Sequence, residues 1–155
     1  MKKILITGNS GRVGTELTKR LMPDYEVHGL DIKPPQVMPN VHYNFDIRKL
    51  FTNETEFDCV IHLAALVNKE ESNQIPIQYY ITNLNGTMNL VNKVKTKKFV
   101  FASSVDVDSS YGISKRAAED VVREYCTTHA NIPYSIVKLS DESVDEICSK
   151  LIAEI

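Results

Sequence analysis

Tyr111 and Lys115 stand four residues apart in the run Tyr-Gly-Ile-Ser-Lys. On a helix that spacing puts both on one face, with an ammonium beside a phenol. A phenol titrates near about 10 in water, and a neighbouring cation stabilises the phenolate and draws that value toward neutrality. Such a group exchanges protons with a hydroxyl or a carbonyl oxygen. Ser104, closing the apolar run Lys98–Ser104, offers a hydroxyl to hold the same oxygen. A second Tyr-x-x-x-Lys pair, Tyr134 and Lys138, falls on a predicted strand, where the two residues sit roughly 13 Å apart. That pair reads as structural.

A second group of residues suits an anion. Ile4, Leu5 and Ile6 stop at Thr7-Gly8, and a helical pattern of Val13, Leu17 and Leu21 begins just after Gly11. The pattern predicts strand, glycine turn, helix. Glycines at 8, 11 and 14 let the backbone turn tightly and approach a ligand, while the first helical turn presents unpaired N–H groups. Such a turn suits a pyrophosphate.

These groups need a frame, and the hydrophobic periodicity supplies one. Tyr25–Asp31 reads as a second strand, residues 31–40 as a Pro-rich loop, Val41–Asp46 as a third strand and Ile47–Glu56 as a short helix or turn. Phe57–Ala65 is nearly continuously apolar, as expected of a central strand covered on both faces. After a polar loop come a long helix over Ile75–Lys95, a fifth strand over Lys98–Ser104, a helix over Ser110–His129 and a sixth strand over Pro133–Leu139. The last helix opens on Ser143 and Glu146, a capping box, and carries an apolar stripe of Val144, Ile147, Cys148, Leu151, Ile152 and Ile155. Strands alternating with helices predict an α/β architecture: a doubly wound parallel sheet in three layers, strand order 3-2-1-4-5-6, with ligand at the switch point across the strand C-termini.

Composition narrows the function classes. At 155 residues, 43% hydrophobic and 25% charged, the chain reads as one domain, residues 1–155, with no second one for substrate. A net charge of -2 gives no footprint for nucleic acid. No apolar run approaches the roughly 20 residues of a membrane span, and the first strand follows the start directly, so the expectation is a cytoplasmic protein. Cys59, Cys126 and Cys148 read as free buried thiols, and the four histidines lack ligand-like spacing, so no metal site is expected.

Taken in order, these motifs resemble the short-chain dehydrogenase/reductase superfamily, in its extended NAD-dependent sugar-nucleotide epimerase and dehydratase branch. The resemblance runs from Lys2 to about Leu139 through Thr7-Gly8-x-x-Gly11-x-x-Gly14, His62-Leu-Ala-Ala65, Asn83-Leu-Asn-Gly-Thr and Tyr111-Gly-Ile-Ser-Lys115-x-x-x-Glu119. It implies a Rossmann fold binding NAD, with the phosphates on Gly8, Asn9, Ser10, Gly11, Arg12, Val13 and Gly14. Asp31, 20 residues after Gly11, accepts the adenosine ribose hydroxyls and repels a 2′-phosphate, favouring NAD over NADP, although Lys33 softens that repulsion. By the same resemblance Ile32, Asp46 and Ile47 border the adenosine, Leu63, Ala64 and Ala65 leave room for diphosphate and ribose, and Asn83 steadies the central sheet. Tyr111 is then the general acid/base, helped by the positive nicotinamide; Lys115 tunes it and holds the nicotinamide ribose, and Ser104 positions the substrate. A homodimer through the helices over 75–95 and 110–129 is also implied, and Tyr79, Leu90 and Val122 give those helices more apolar surface than one sheet contact needs.

Two features depart from the family pattern. Only Val105–Ser110 links Ser104 to Tyr111, where relatives place a substantial pocket-lining loop; six residues still span up to roughly 20 Å. Beyond Lys138-Leu-Ser-Asp141 there is one more helix, where relatives continue into a region enclosing the sugar nucleotide. The expected function is hydride transfer with NAD on a sugar nucleotide or a small carbonyl or hydroxyl substrate. The alternative is an NAD-binding module with reduced catalysis, acting as a redox sensor or regulatory partner.

Overall fold

A computed structural model describes residues 1–155. Its first strand, β1 (Lys3–Thr7), is buried at every residue after Lys3. Ile4, Leu5 and Ile6 are all fully buried, and alternation sends them to opposite faces. Ile4 and Ile6 meet Leu17 and Leu21 of α1 (Arg12–Leu21) and Ile147 and Leu151 of α6 (Val144–Ile152). Leu5 meets Leu90 of α4 (Gly86–Lys93) and Ala118 and Val122 of α5 (Ser110–Glu124). Helices therefore cover both faces of one sheet. Its strands, β2 (Glu26–Asp31), β3 (Val41–Asn44), β5 (Cys59–His62), β7 (Phe99–Ser104) and β8 (Tyr134–Leu139), run parallel in the order β3-β2-β1-β5-β7-β8. This is the expected 3-2-1-4-5-6 arrangement once the two-residue strands β4 (Glu56–Phe57) and β6 (Lys95–Thr96), which pair with each other, are set aside. All three cysteines are free and buried, the Ser143–Glu146 capping box is formed, and no helix is long and apolar enough to cross a membrane.

One local expectation is corrected. The polar loop before residue 75 contains a helix, α2 (Lys69–Gln74), which carries no apolar stripe; Asn68 caps it by accepting from Glu71 N–H at 3.0 Å. The long helix expected over 75–95 runs without a gap from Pro76 to Lys93 as α3 (Pro76–Tyr79), a π-helical turn over Tyr80–Asn85, and α4. Over 47–56, expected as a short helix or turn, a turn closes from Lys49 N–H to Asp46 O at 2.9 Å, and Ile47 and Phe51 turn inward. The surface argument for dimerisation also changes. Tyr79, Leu90 and Val122 are buried within the chain, while Ile77, Met88 and Ile113 remain exposed on α3, α4 and α5.

The β1–α1 connection works by close approach. Gly8 has φ +75°, a backbone conformation that a side chain disfavours, and the ideal Cβ position there lies 2.8 Å from the Ala64 nitrogen. At Gly14 a Cβ would sit 2.2 Å from the Gly8 carbonyl oxygen, so α1 packs on its own turn with no room for a methyl group.

Behind this turn, a buried hydrogen-bond chain joins the sheet to the helices. Thr87 Oγ1 donates to Asn83 O at 2.6 Å, which uses its only proton, so His62 Nε2–H must donate to Thr87 at 2.9 Å. His62 Nδ1 then accepts from Thr7 Oγ1 at 2.6 Å, and Thr7 Oγ1 accepts from Ala64 N–H at 3.2 Å. The imidazole is neutral, and burial, reinforced by the Lys115 charge, depresses its pKa to about 3.

Two measurements test this packing. Gly14→Ala should lose about 1–3 kcal/mol in denaturant unfolding, because the added methyl forces α1 away from Gly8. His62 binds a proton more readily unfolded than folded, so its stabilising contribution is complete above about pH 6.5 and declines on acidification toward its folded value. His62→Gln should be less stable at neutral pH, yet lose less thermal stability than the wild type between about pH 6.5 and about pH 4.

Candidate active site

The glycine turn lies at the C-terminal end of β1, beside the break in strand order between β1 and β5. Gly8 N–H donates to Leu30 O at 2.8 Å, and Gly11 N–H donates to Gly8 O at 3.1 Å. Gly11 is the N-cap of α1, with no side-chain capping bond and no acidic residue in the first turn. The Cβ position at Gly11 has one neighbour, Gly8 O at 3.4 Å, so the face of the turn leading to the helix N-terminus is open. Uncapped N–H groups behind an open backbone face fit a diphosphate.

The other predicted cradle residues divide by geometry. Arg12 is exposed, Val13 packs against the α1–α6 core, and Asp31 closes β2. The Asp31 carboxylate accepts from Ser10 N–H at 3.1 Å and Lys33 N–H at 2.9 Å, while Ser10 Oγ donates to Lys33 O at 2.8 Å. Ser10 thus ties the turn to the end of β2. Ile32 beyond it is 58% exposed. Asn9, expected beside the phosphates, is fully buried, with its Nδ2 2.4 Å from the Cβ position of Gly29 and both amide atoms unpartnered within the protein. Its side chain packs beneath the turn, because the small residue at 29 leaves the space that it fills. Ile47 is likewise turned inward, where a Cβ on Gly86 would lie 2.8 Å from its Cδ1, and Asp46 is held by Arg48 at 2.6 Å. Leu63, Ala64 and Ala65 form the half-buried loop after β5, pressed against Gly8.

Across the break, β7 ends at Ser104, and α5 starts after the short link with Tyr111 in its first turn. Three bonds hold that turn. Ser110 N–H donates to Asn73 Oδ1 of α2 at 3.0 Å, Gly112 N–H donates to the Ser109 hydroxyl at 3.0 Å, and Ser114 Oγ donates to Tyr111 O at 2.7 Å. Asn83, buried in the π turn, donates to Ser114 Oγ at 3.0 Å and grips Leu66 through its N–H at 2.8 Å and its carbonyl at 2.9 Å. Asn83 therefore links the β5 loop to the helix bearing Tyr111. Asn73 escaped the sequence reading because α2 did; the Asn68-x-x-Glu71 capping pattern was the available signal.

The electrostatics differ from expectation. Lys115 is 3% exposed, with Nζ over the Phe101 ring at 4.3 Å, and burial lowers its pKa to about 7 against the opposing pull of Glu119. Burial raises the Tyr111 phenol, the Ser104 hydroxyl opposes this, and the Asp106 carboxylate adds to it. The lowered phenol expected from a neighbouring cation is not found, because desolvation dominates and the lysine turns toward an aromatic face. Glu119 is occupied by Ser103 at 2.5 Å and Lys138 at 3.4 Å. The second Tyr-x-x-x-Lys motif thus contributes its lysine to a buried carboxylate rather than to its own tyrosine.

A family model described as the NAD dependent epimerase/dehydratase family matches residues 4–142. The UDP-glucose 4-epimerase uge1 of Schizosaccharomyces pombe is 36% identical over 102 residues, covering 63% of this chain and 28% of that protein. The UDP-glucose 4-epimerase of Dictyostelium discoideum is 29% identical over 153 residues, covering 94% of this chain and 40% of that protein. Among solved structures, the UDP-Glc/GlcNAc 4-epimerase of Campylobacter jejuni superposes with a TM-score of 0.78 at 24% identity, over 89% of this chain and 53% of that one. The Bordetella bronchiseptica enzyme WbmF, solved in complex with NAD+, has a TM-score of 0.74 at 23% identity and covers 90% of this chain and 49% of its own. At these identities the structures speak to fold alone. The chain spans about half the length of these solved structures and less of the curated relatives. A family match across residues 4–142, on a parallel sheet with the glycine turn at its switch point, makes this chain a member of the NAD-dependent epimerase/dehydratase family.

Proposed function

We propose that this chain is the NAD-binding, proton-transferring part of a sugar-nucleotide epimerase, acting on a UDP-hexose as its relatives' names suggest. The observation that carries this reading is the meeting, at one end of the sheet, of an uncapped glycine turn with Ser104, Tyr111 and Lys115 across the switch point. The phosphates lie on Gly8, Gly11, Arg12 and Val13, the adenosine ribose on Asp31, and the adenine beside Ile32 and Asp46. The Asp31 charge selects against a 2′-phosphate. Leu63, Ala64 and Ala65 line the middle of the groove, and Asn83 holds them in place. NAD, when bound, supplies a reversible acceptor for hydride from a sugar carbon.

The residues of the chain handle the proton. A phenol held above its ordinary value stays protonated at neutral pH and gives its proton from Oη to a carbonyl oxygen. The reverse step places charge on Oη, where the Ser104 hydroxyl stabilises it by hydrogen bonding. Lys115, poised near about 7, is the cation one helical turn away. Pairing of two copies across the exposed Ile77, Met88 and Ile113 belongs to the same reading. The redox-sensor alternative gains no support from the fold or the relatives.

Two variants separate binding from chemistry. Tyr111→Phe should lower turnover between UDP-glucose and UDP-galactose by about 100-fold or more while NAD affinity stays within about twofold. Full activity in that variant overturns the assignment. Gly11→Ala should keep the wild-type melting temperature, since its methyl meets only Gly8 O, yet weaken NAD binding about tenfold or more in calorimetry by standing in the phosphate path.

A further inference from the structure

The link between Ser104 and Tyr111 is short, yet densely bonded to itself. Asp106 N–H donates to Ser104 Oγ at 3.0 Å. With its oxygen accepting there, the Ser104 hydroxyl keeps its one proton free to donate. At the other end of the same residue, the Asp106 carboxylate accepts from the Ser109 hydroxyl, and Ser109 Oγ accepts from Gly112 N–H at 3.0 Å as the N-cap of α5. The link folds directly onto the helix. A Cβ on Gly112 would lie 2.5 Å from the Asp106 carbonyl oxygen and 2.8 Å from its Oδ2, so glycine is required for the approach.

We propose that Asp106 is a positioning residue for proton transfer at Tyr111: its backbone N–H holds the Ser104 hydroxyl oxygen, and its carboxylate, through Ser109, locks the helical turn that carries Tyr111. The inference rests on Tyr111 being the proton-transfer group of the proposed function. The Asp106 carboxylate is held below its ordinary range, first by the Ser109 hydroxyl, and so is ionised at neutral pH, with Lys69 of α2 as a nearby cation. The titratable groups around the phenol are Asp106 in the link, Tyr79 of α3, which donates to Glu71 of α2 at 2.7 Å, and Lys115 on α5 itself. Asp106 is the anion whose charge opposes phenolate formation.

Two substitutions separate charge from geometry. Asp106→Asn keeps an acceptor for Ser109 and the backbone N–H for Ser104 but removes the charge. Asp106→Ala keeps the backbone N–H but removes the lock. Ring-labelled tyrosine followed by NMR against pH, with Tyr111→Phe assigning the signal, reads the phenol without any need for turnover. In Asp106→Asn the phenol should titrate at lower pH than in the wild type, at an unchanged melting temperature. In Asp106→Ala the melting temperature should fall and the Tyr111 ring signal should broaden or shift. NAD affinity should stay within about twofold in both, since neither variant touches the glycine turn. An unmoved phenol in Asp106→Asn, or a wild-type signal and stability in Asp106→Ala, overturns the proposal. Absence of epimerase turnover in the wild type counts against the proposed function and leaves the titration to decide this inference.

Discussion

A neutral imidazole at the centre of the molecule sets most of what surrounds it. His62 is 1% exposed, and each of its nitrogens has one threonine partner, Thr7 on β1 and Thr87 on α4. A charged ring in that place would lack the solvation to support it, so the tautomer and the spacing of three elements are settled together. Thr7 also takes the Ala64 N–H, which brings the β5 loop against Gly8, and Thr87 holds the carbonyl of Asn83, whose side chain reaches Leu66 and Ser114. The glycine turn and the helix bearing Tyr111 lie on different elements, and this buried chain couples them.

The charged groups beyond it follow the same low-dielectric logic. Lys115 has left water for the face of Phe101, a contact of about 0.5–2 kcal/mol, and its proton is correspondingly loosely held. Glu119, one turn on, shares its carboxylate between Ser103 and Lys138, joining the ends of β7 and β8 to α5. A buried carboxylate left unpaired costs several kcal/mol, so this trio holds the helix at its height above the sheet. Tyr111 lies at the edge of this dry region, half-buried, and desolvation is the first cause of its raised titration.

The short link beneath Tyr111 shows how a loop holds geometry with few residues. The six residues Val105–Ser110 are spent on hydrogen bonds to Ser104 and the helix cap. Val105 and Val107 of the same link stand exposed.

Period and composition alone determined the sheet order, the glycine turn after β1, the Ser143 capping box, and the structural nature of Tyr134 and Lys138, because local sterics and side-chain alternation act over a few residues. Motif spacing brought Ser104, Tyr111 and Lys115 to one end of the sheet for the same reason. Long-range packing decided the rest. Asn9 and Ile47 turned inward because Gly29 and Gly86, distant in sequence, leave space for them. The helix over 76–93 took a π-helical turn at Tyr80–Asn85, and α2 formed without an apolar stripe because Asn68 capped it. The direction of the Tyr111 shift, and the lysine's choice of Phe101 over the phenol, depended on burial, a property of the assembled layers that no spacing of residues encodes.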